Sequence, residues 1–131
     1  MTTDLLVLVA LGALAFFLQN VGAFSHIAAQ PAAGLMWGVG NRDEGPTLAP
    51  WAARAGRAHR NLLENLPHYT IIVLVLAVAG RADAFTATAS LVYLGARAAH
   101  AAVYAAGIPY VRTLAYYTGV AAEIALLTRV F

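Results

Sequence analysis

Apolar runs of bilayer length fill most of this chain, and short polar turns separate them. No other feature narrows the choice of fold so far. A helix needs about 20 mainly apolar residues to cross the hydrocarbon core of a bilayer. Four spans fit that length, at residues 4–23, 51–79, 84–106 and 110–130. Hydrophobic residues make up 61% of the chain and charged residues only 11%, so lipid is the expected solvent for most of the surface. The expected fold is an all-α membrane protein, a four-transmembrane-helix bundle, in one domain over residues 1–131. The first run is read as a retained span. Met1-Thr2-Thr3-Asp4 lacks the basic start of a secretory signal.

The breaks between spans have recognisable turn chemistry. Asn, Gly and Pro mark the longest connection, Ser25 to Pro50. Gly80-Arg81-Ala82-Asp83 reads as a short turn with Asp83 as N-cap of the third span. Gly107-Ile108-Pro109 is another, with Pro109 opening the fourth. Arg42, Arg54, Arg57 and Arg60 cluster in and after the first connection, and Arg112 follows the third. Only Arg81 and Arg129 fall on the opposite side. The positive-inside rule then puts both termini on the non-cytoplasmic side and opens the arginine-rich end to the cytoplasm.

Polar residues inside these spans fall in rows. On the second span Arg54, Arg57, Asn61, Glu64 and His68 are spaced 3, 4, 3 and 4, which is one face of a helix. Arg60 lies beside that row, and Arg57 and Arg60 are within helical reach of Glu64. On the third span Tyr93, Arg97, His100 and Tyr104 are spaced 4, 3 and 4. On the fourth, Arg112, Tyr116, Gly119 and Glu123 repeat that spacing, with Thr113 and Tyr117 one step round. Charges in the membrane are costly and usually face a protein interior or a polar cavity. The three rows are expected to face one another or a neighbouring subunit. Small residues along the third span favour close helix packing in lipid. Four helices shield so many charges poorly, so a homo-oligomer is expected.

The chemistry offered by these rows is anion binding with a small cationic complement. All eight basic side chains are arginine, and a surplus of forked donors suits carboxylates. Glu64 suits an ammonium group, and Asn61 can both donate to and accept from a peptide amide. Such a set fits a small zwitterionic peptide with extra negative charge. The same residues also read as structural ion pairs, Arg57 or Arg60 with Glu64 and Arg97 with Glu123. Other classes find little support. The net charge of +2 is too small and scattered for nucleic acid. With no cysteine there is no thiolate nucleophile or zinc cluster. His59 and His68 lie on opposite helix faces, so no metal is expected. Nucleotide-binding and hydrolase motifs are absent.

The run Arg57-Ala58-His59-Arg60-Asn61-x-x-Glu64-x-x-Pro67 resembles the second-helix signature of the MAPEG superfamily, membrane-associated proteins in eicosanoid and glutathione metabolism. Gly95-Ala96-Arg97-Ala98-Ala99-His100-x-x-x-Tyr104 is similar to its third-helix motif, and Arg112-Thr113-x-x-Tyr116 to the start of its fourth helix. Asn41-Arg42-Asp43-Glu44 fits the first loop. The resemblance extends over nearly the whole chain, toward microsomal glutathione transferases and prostaglandin E synthase. It implies a homotrimer that binds glutathione as co-substrate between subunits. Arg57, Arg60, Asn61 and Glu64 would hold its charged ends and backbone. Arg97, His100, Tyr104 and Tyr116 would complete the pocket, with Arg112 and Thr113 at the thiol. The implied activity is a glutathione-dependent transferase or peroxidase acting on lipophilic electrophiles or lipid hydroperoxides drawn from membrane lipid. The alternative is a non-catalytic membrane protein of the same fold that binds a lipid or a partner protein. One departure stands out. The better-known members carry a basic residue near the end of the first helix, and Ala23-Phe24-Ser25-His26-Ile27-Ala28-Ala29-Gln30 has no Arg or Lys.

Overall fold

The computed structural model describes all 131 residues. The chain is all helix, in five elements: α1 (Thr3–Ala29), α2 (Pro31–Val39), α3 (Pro50–Val78), α4 (Ala84–Ala106) and α5 (Pro109–Leu127). Helices α3, α4 and α5 lie over the stretches expected for the second, third and fourth spans. The connection expected from Ser25 to Pro50 is mostly helical. The first helix continues through His26 to Ala29, and α2 follows at once. Pro31 sets the break between them. It pushes Gln30 out of the helical region, to φ −142° and ψ 77°, and then opens α2 from its first turn.

Gly34 holds α2 against α1, because a Cβ there would lie 2.7 Å from the Ile27 Cα. Trp37 then meets His26 edge-on at 5.4 Å and donates its indole N–H to the Glu44 carbonyl at 2.8 Å. Arg42 covers the other side of the indole at 4.9 Å. The acidic connection is thereby folded back onto the end of α1.

Glycines end α3 and α4 in the left-handed conformation that L side chains avoid, Gly80 at φ +67° and Gly107 at φ +82°. In each turn the next N–H reaches back five residues, Arg81 to the Leu76 carbonyl at 2.9 Å and Ile108 to that of Val103 at 3.0 Å. Asp83 caps α4 as expected. Its carboxylate accepts from the Thr86 N–H at 2.9 Å, and the Thr86 hydroxyl accepts from the Asp83 N–H at 2.9 Å. The Thr86 N–H and the Arg129 guanidinium hold the Asp83 carboxyl below its ordinary value.

Val7, Leu11, Ala15 and Leu18 form the inner stripe of α1, packed on Leu62, Tyr69, Val73 and Leu76 of α3 and on Ala89 and Tyr93 of α4. Tyr69 and Tyr93 stack with centroids 4.4 Å apart. The fifth helix packs chiefly on α4, and α2 touches only α1. Phe16, Phe17, Val78, Leu114 and Ile124 project outward. In water such a surface would be an aggregation hazard; α1 and α3 are also long and apolar enough to cross a membrane.

Asp4 is buried at the far end of the bundle from the arginine-rich turns. Its carboxylate accepts from the Ser90 hydroxyl at 2.8 Å and the Thr86 hydroxyl at 3.3 Å. The Tyr69 hydroxyl reaches its carbonyl at 3.4 Å. These bonds fix the start of α1 against α3 and α4.

Candidate functional site

Tyr104, in the last turn of α4, is the centre of the polar end of the bundle. The Arg112 guanidinium lies 4.7 Å from its ring centroid and that of Arg57 lies 6.0 Å away. The His100 ring meets it edge-on at 5.4 Å. Tyr116 of α5 lies 6.1 Å from His100. One ring thus gathers side chains from α3, α4 and α5. Cations over an aromatic face are attracted by its quadrupole, which holds two arginines close together without a carboxylate between them.

Beneath this cluster lies Arg97, buried to 2% exposure in the midst of α3, α4 and α5. Its guanidinium sits 4.9 Å from the Tyr93 ring and 5.3 Å from the Tyr116 ring. One N–H reaches the Asn61 Oδ1 at 3.5 Å. Its Nε and Nη2 have no partner. Gly119 makes room for it, since a Cβ there would lie 3.3 Å from the Arg97 Nε. This explains Gly119 in the row of α5: Arg97 takes the space of a side chain.

Asn61, His100, Tyr104, Arg112, Thr113, Tyr116 and Tyr117 line one polar hollow of about 270 Å³. These are residues of all three rows. The Thr113 side chain lies at the surface of this hollow and donates to the Pro109 carbonyl at 3.2 Å. A second hollow of about 190 Å³ adjoins it through Tyr104 and Arg112 and takes in Arg54 and Arg57. A larger hollow, about 520 Å³, is elsewhere. It lies between α1, α3 and α4, is lined by Phe17, Phe24, Trp51 and alanines of α4, and has Ser25 as its one hydroxyl.

Arg60, Glu64 and His68 do not join the gathering within the chain. All three are exposed on α3, as is Arg57. The structural ion pairs read from the sequence do not form. Neither Arg57 nor Arg60 meets Glu64, and Arg97 does not meet Glu123; the one ion pair is Arg129 with Asp83. Helical spacing brings side chains to one face, but an exposed pair gains too little to hold two long side chains in contact. Two polar residues acquire roles the spacing did not reveal. The Arg54 Nε donates to the Ala105 carbonyl at 2.8 Å, capping the end of α4. Asp4 finds its partners 82 and 86 residues away.

The motifs of α3, α4 and α5 follow one another in this order along the chain. The chain belongs to the MAPEG family, whose sequence model matches residues 4–131. No curated protein matches it.

Proposed function

We propose that this protein is a glutathione-dependent membrane transferase or peroxidase acting on lipophilic electrophiles or lipid hydroperoxides. The observation that carries the reading is the convergence of Asn61, His100, Tyr104, Arg112, Thr113 and Tyr116 around one polar hollow, with Arg97 beneath it against Asn61 and Tyr116. Family membership supports it at a coarser level. The hollow offers donors for carboxylates, an amide partner for a peptide and a cation for a thiolate.

In this reading α1, α3, α4 and α5 all cross the bilayer, the termini are non-cytoplasmic, and the polar end opens to the cytoplasm. The exposed row Arg57, Arg60, Glu64 and His68 is covered by a neighbouring subunit of a homotrimer. That cover supplies the wall that a single chain lacks. Arg60 and Glu64 take the carboxylate and ammonium ends of glutathione, and Asn61 its backbone. Arg112 lies beside the sulfur and favours the thiolate, since a nearby cation lowers a thiol's pKa. Thr113 adds a hydroxyl at the same place. Held in line with an electrophile, the thiolate forms a C–S bond as the leaving group departs with its electron pair.

Turnover of a chlorinated nitrobenzene tests the chemistry. The sulfur displaces chloride, so product formation reports thiolate attack directly. Arg112→Ala is expected to lower kcat about tenfold or more at saturating glutathione, the effect of losing about one pKa unit of thiolate stabilisation or more. Equal kcat for the two proteins would remove Arg112 from the chemistry, and no turnover by the wild type would favour the non-catalytic reading of the fold.

A further inference from the structure

The hollow of Arg54, Arg57 and Arg112 adjoins the one proposed for the glutathione thiol, sharing Tyr104 and Arg112 with it, and differs from it in Arg54, Arg57 and the α4–α5 turn. It sits outside Tyr104, at the turn Gly107-Ile108-Pro109 between α4 and α5. Three guanidinium groups line it, and none is in an ion pair. At about 190 Å³ it is too small for a peptide but has room for a single polar group.

Arg54 is held ready in it. Its Nε is fixed on the Ala105 carbonyl, and its Cζ lies 3.3 Å from where a Cβ of Gly107 would stand. Gly107 therefore serves twice, as the left-handed end of α4 and as the bare surface on which the guanidinium lies. With Nε taken, the two terminal nitrogens remain as donors. Arg57 and Arg112 are steered to the same place by the Tyr104 ring. The start of α5 adds to the positive potential, because its first N–H groups have no side-chain cap. Like charges gathered without a counter-charge repel one another, and forked donors around a small space match tetrahedral oxyanions. Tyr110, next to Pro109, is 88% exposed, as expected of an aromatic at headgroup level.

We propose that this arginine hollow is an anion site that binds a phosphate-type oxyanion, carried by a lipid headgroup or free in solution. The proposal goes beyond the glutathione reading and does not depend on it, because Arg54 has no part in that reading and the test contains no glutathione. Purified protein is reconstituted in nanodiscs in two arms. In one, the lipid is phosphatidylcholine, and melting is followed as inorganic phosphate replaces chloride at constant ionic strength. In the other, phosphatidylglycerol is titrated into the disc, and lipid retained on the protein is counted by native mass spectrometry.

Saturable binding is expected in at least one arm, and the arm that shows it identifies the source. Arg54→Gln is expected to weaken that binding about tenfold, the effect of one charge-assisted hydrogen bond. Arg42→Gln, which removes a cation elsewhere, should leave it unchanged. Should Arg54→Gln fail to fold once the cap on α4 is lost, Ile108→Asp decides. Ile108 is 46% exposed at the N-cap of α5, where Asp is a favoured residue, so the variant keeps the fold while setting a carboxylate at the rim. It too should weaken binding about tenfold or more. Wild-type protein with no saturable response in either arm would overturn the proposal. So would a response that survives intact in Arg54→Gln or, where that variant does not fold, in Ile108→Asp.

Discussion

Tyr104 shows how one residue can organise several charges. Its ring lies under Arg112, within reach of Arg57 and edge-on to His100. The 4, 3, 4 spacing of Tyr93, Arg97, His100 and Tyr104 was enough to place these four on one face. It could not distinguish a buried Arg97 from an exposed one, because burial depends on the gap that Gly119 leaves on another helix. Glu64 is the opposite case. Spacing suggested a braced carboxylate, yet Glu64 is exposed and meets no arginine of its own chain. Removing a partner from a buried pair costs about 3–5 kcal/mol, and within its own chain Glu64 has no such pair to lose. Glu64→Gln is expected to shift stability by no more than about 0.5 kcal/mol while weakening glutathione binding. Thermal melting and equilibrium dialysis on the same preparation separate the two effects.

At the scale of elements, the long helices were legible because their signals are local. Apolar length, a glycine in the left-handed conformation and a following cap or proline all lie within a few residues of each boundary. The fourth helix therefore begins and ends where the sequence placed it, at Ala84 and Ala106. The second helix was not legible. Pro31-Ala32-Ala33-Gly34-Leu35-Met36-Trp37-Gly38-Val39 is too short to show a period, and its two glycines read as loop. What holds it is the close approach of Gly34 to Ile27. The role of Asp4 was equally hidden, since Thr86 and Ser90 are distant in sequence. Asp4→Ala leaves the buried Ser90 hydroxyl without its acceptor, while the Thr86 hydroxyl keeps the Asp83 carbonyl at 3.0 Å, and is expected to cost about 1–3 kcal/mol, read as a lower melting temperature in detergent.

The Asp83 cap makes a separate prediction in pH. Its carboxyl is held below the ordinary value in the folded chain. A group with a depressed folded pKa contributes stability that is complete above its unfolded value. That contribution is lost as pH falls through the folded one. The melting temperature should therefore fall on acidification below the ordinary carboxylate range, and Asp83→Asn should flatten that part of the profile. Asn keeps a capping oxygen, so the folded helix itself is retained.

For the whole molecule, the polar end and the apolar surface follow from one constraint. Lipid excludes charge, so cations that remain within the spans must be gathered at a hollow, stacked on aromatic rings or covered by another subunit. Arg97, Arg112 and Arg57 show the first two solutions within the chain. Arg60 and Glu64 show neither, and the proposed trimer supplies the third. Family and helix order were readable from motifs spread along most of the chain. Assembly was not, because nothing local in the sequence records which exposed face a second copy covers. The central claim is that the assembled polar end holds glutathione. Its most direct test is equilibrium binding of glutathione to the purified protein, as wild type and as Arg60→Ala. The account predicts saturable binding by the wild type, with one site for each pair of adjoining subunits, and an affinity about tenfold or more lower in the variant. No saturable binding by properly assembled wild-type protein, or equal affinity in the two, would contradict it.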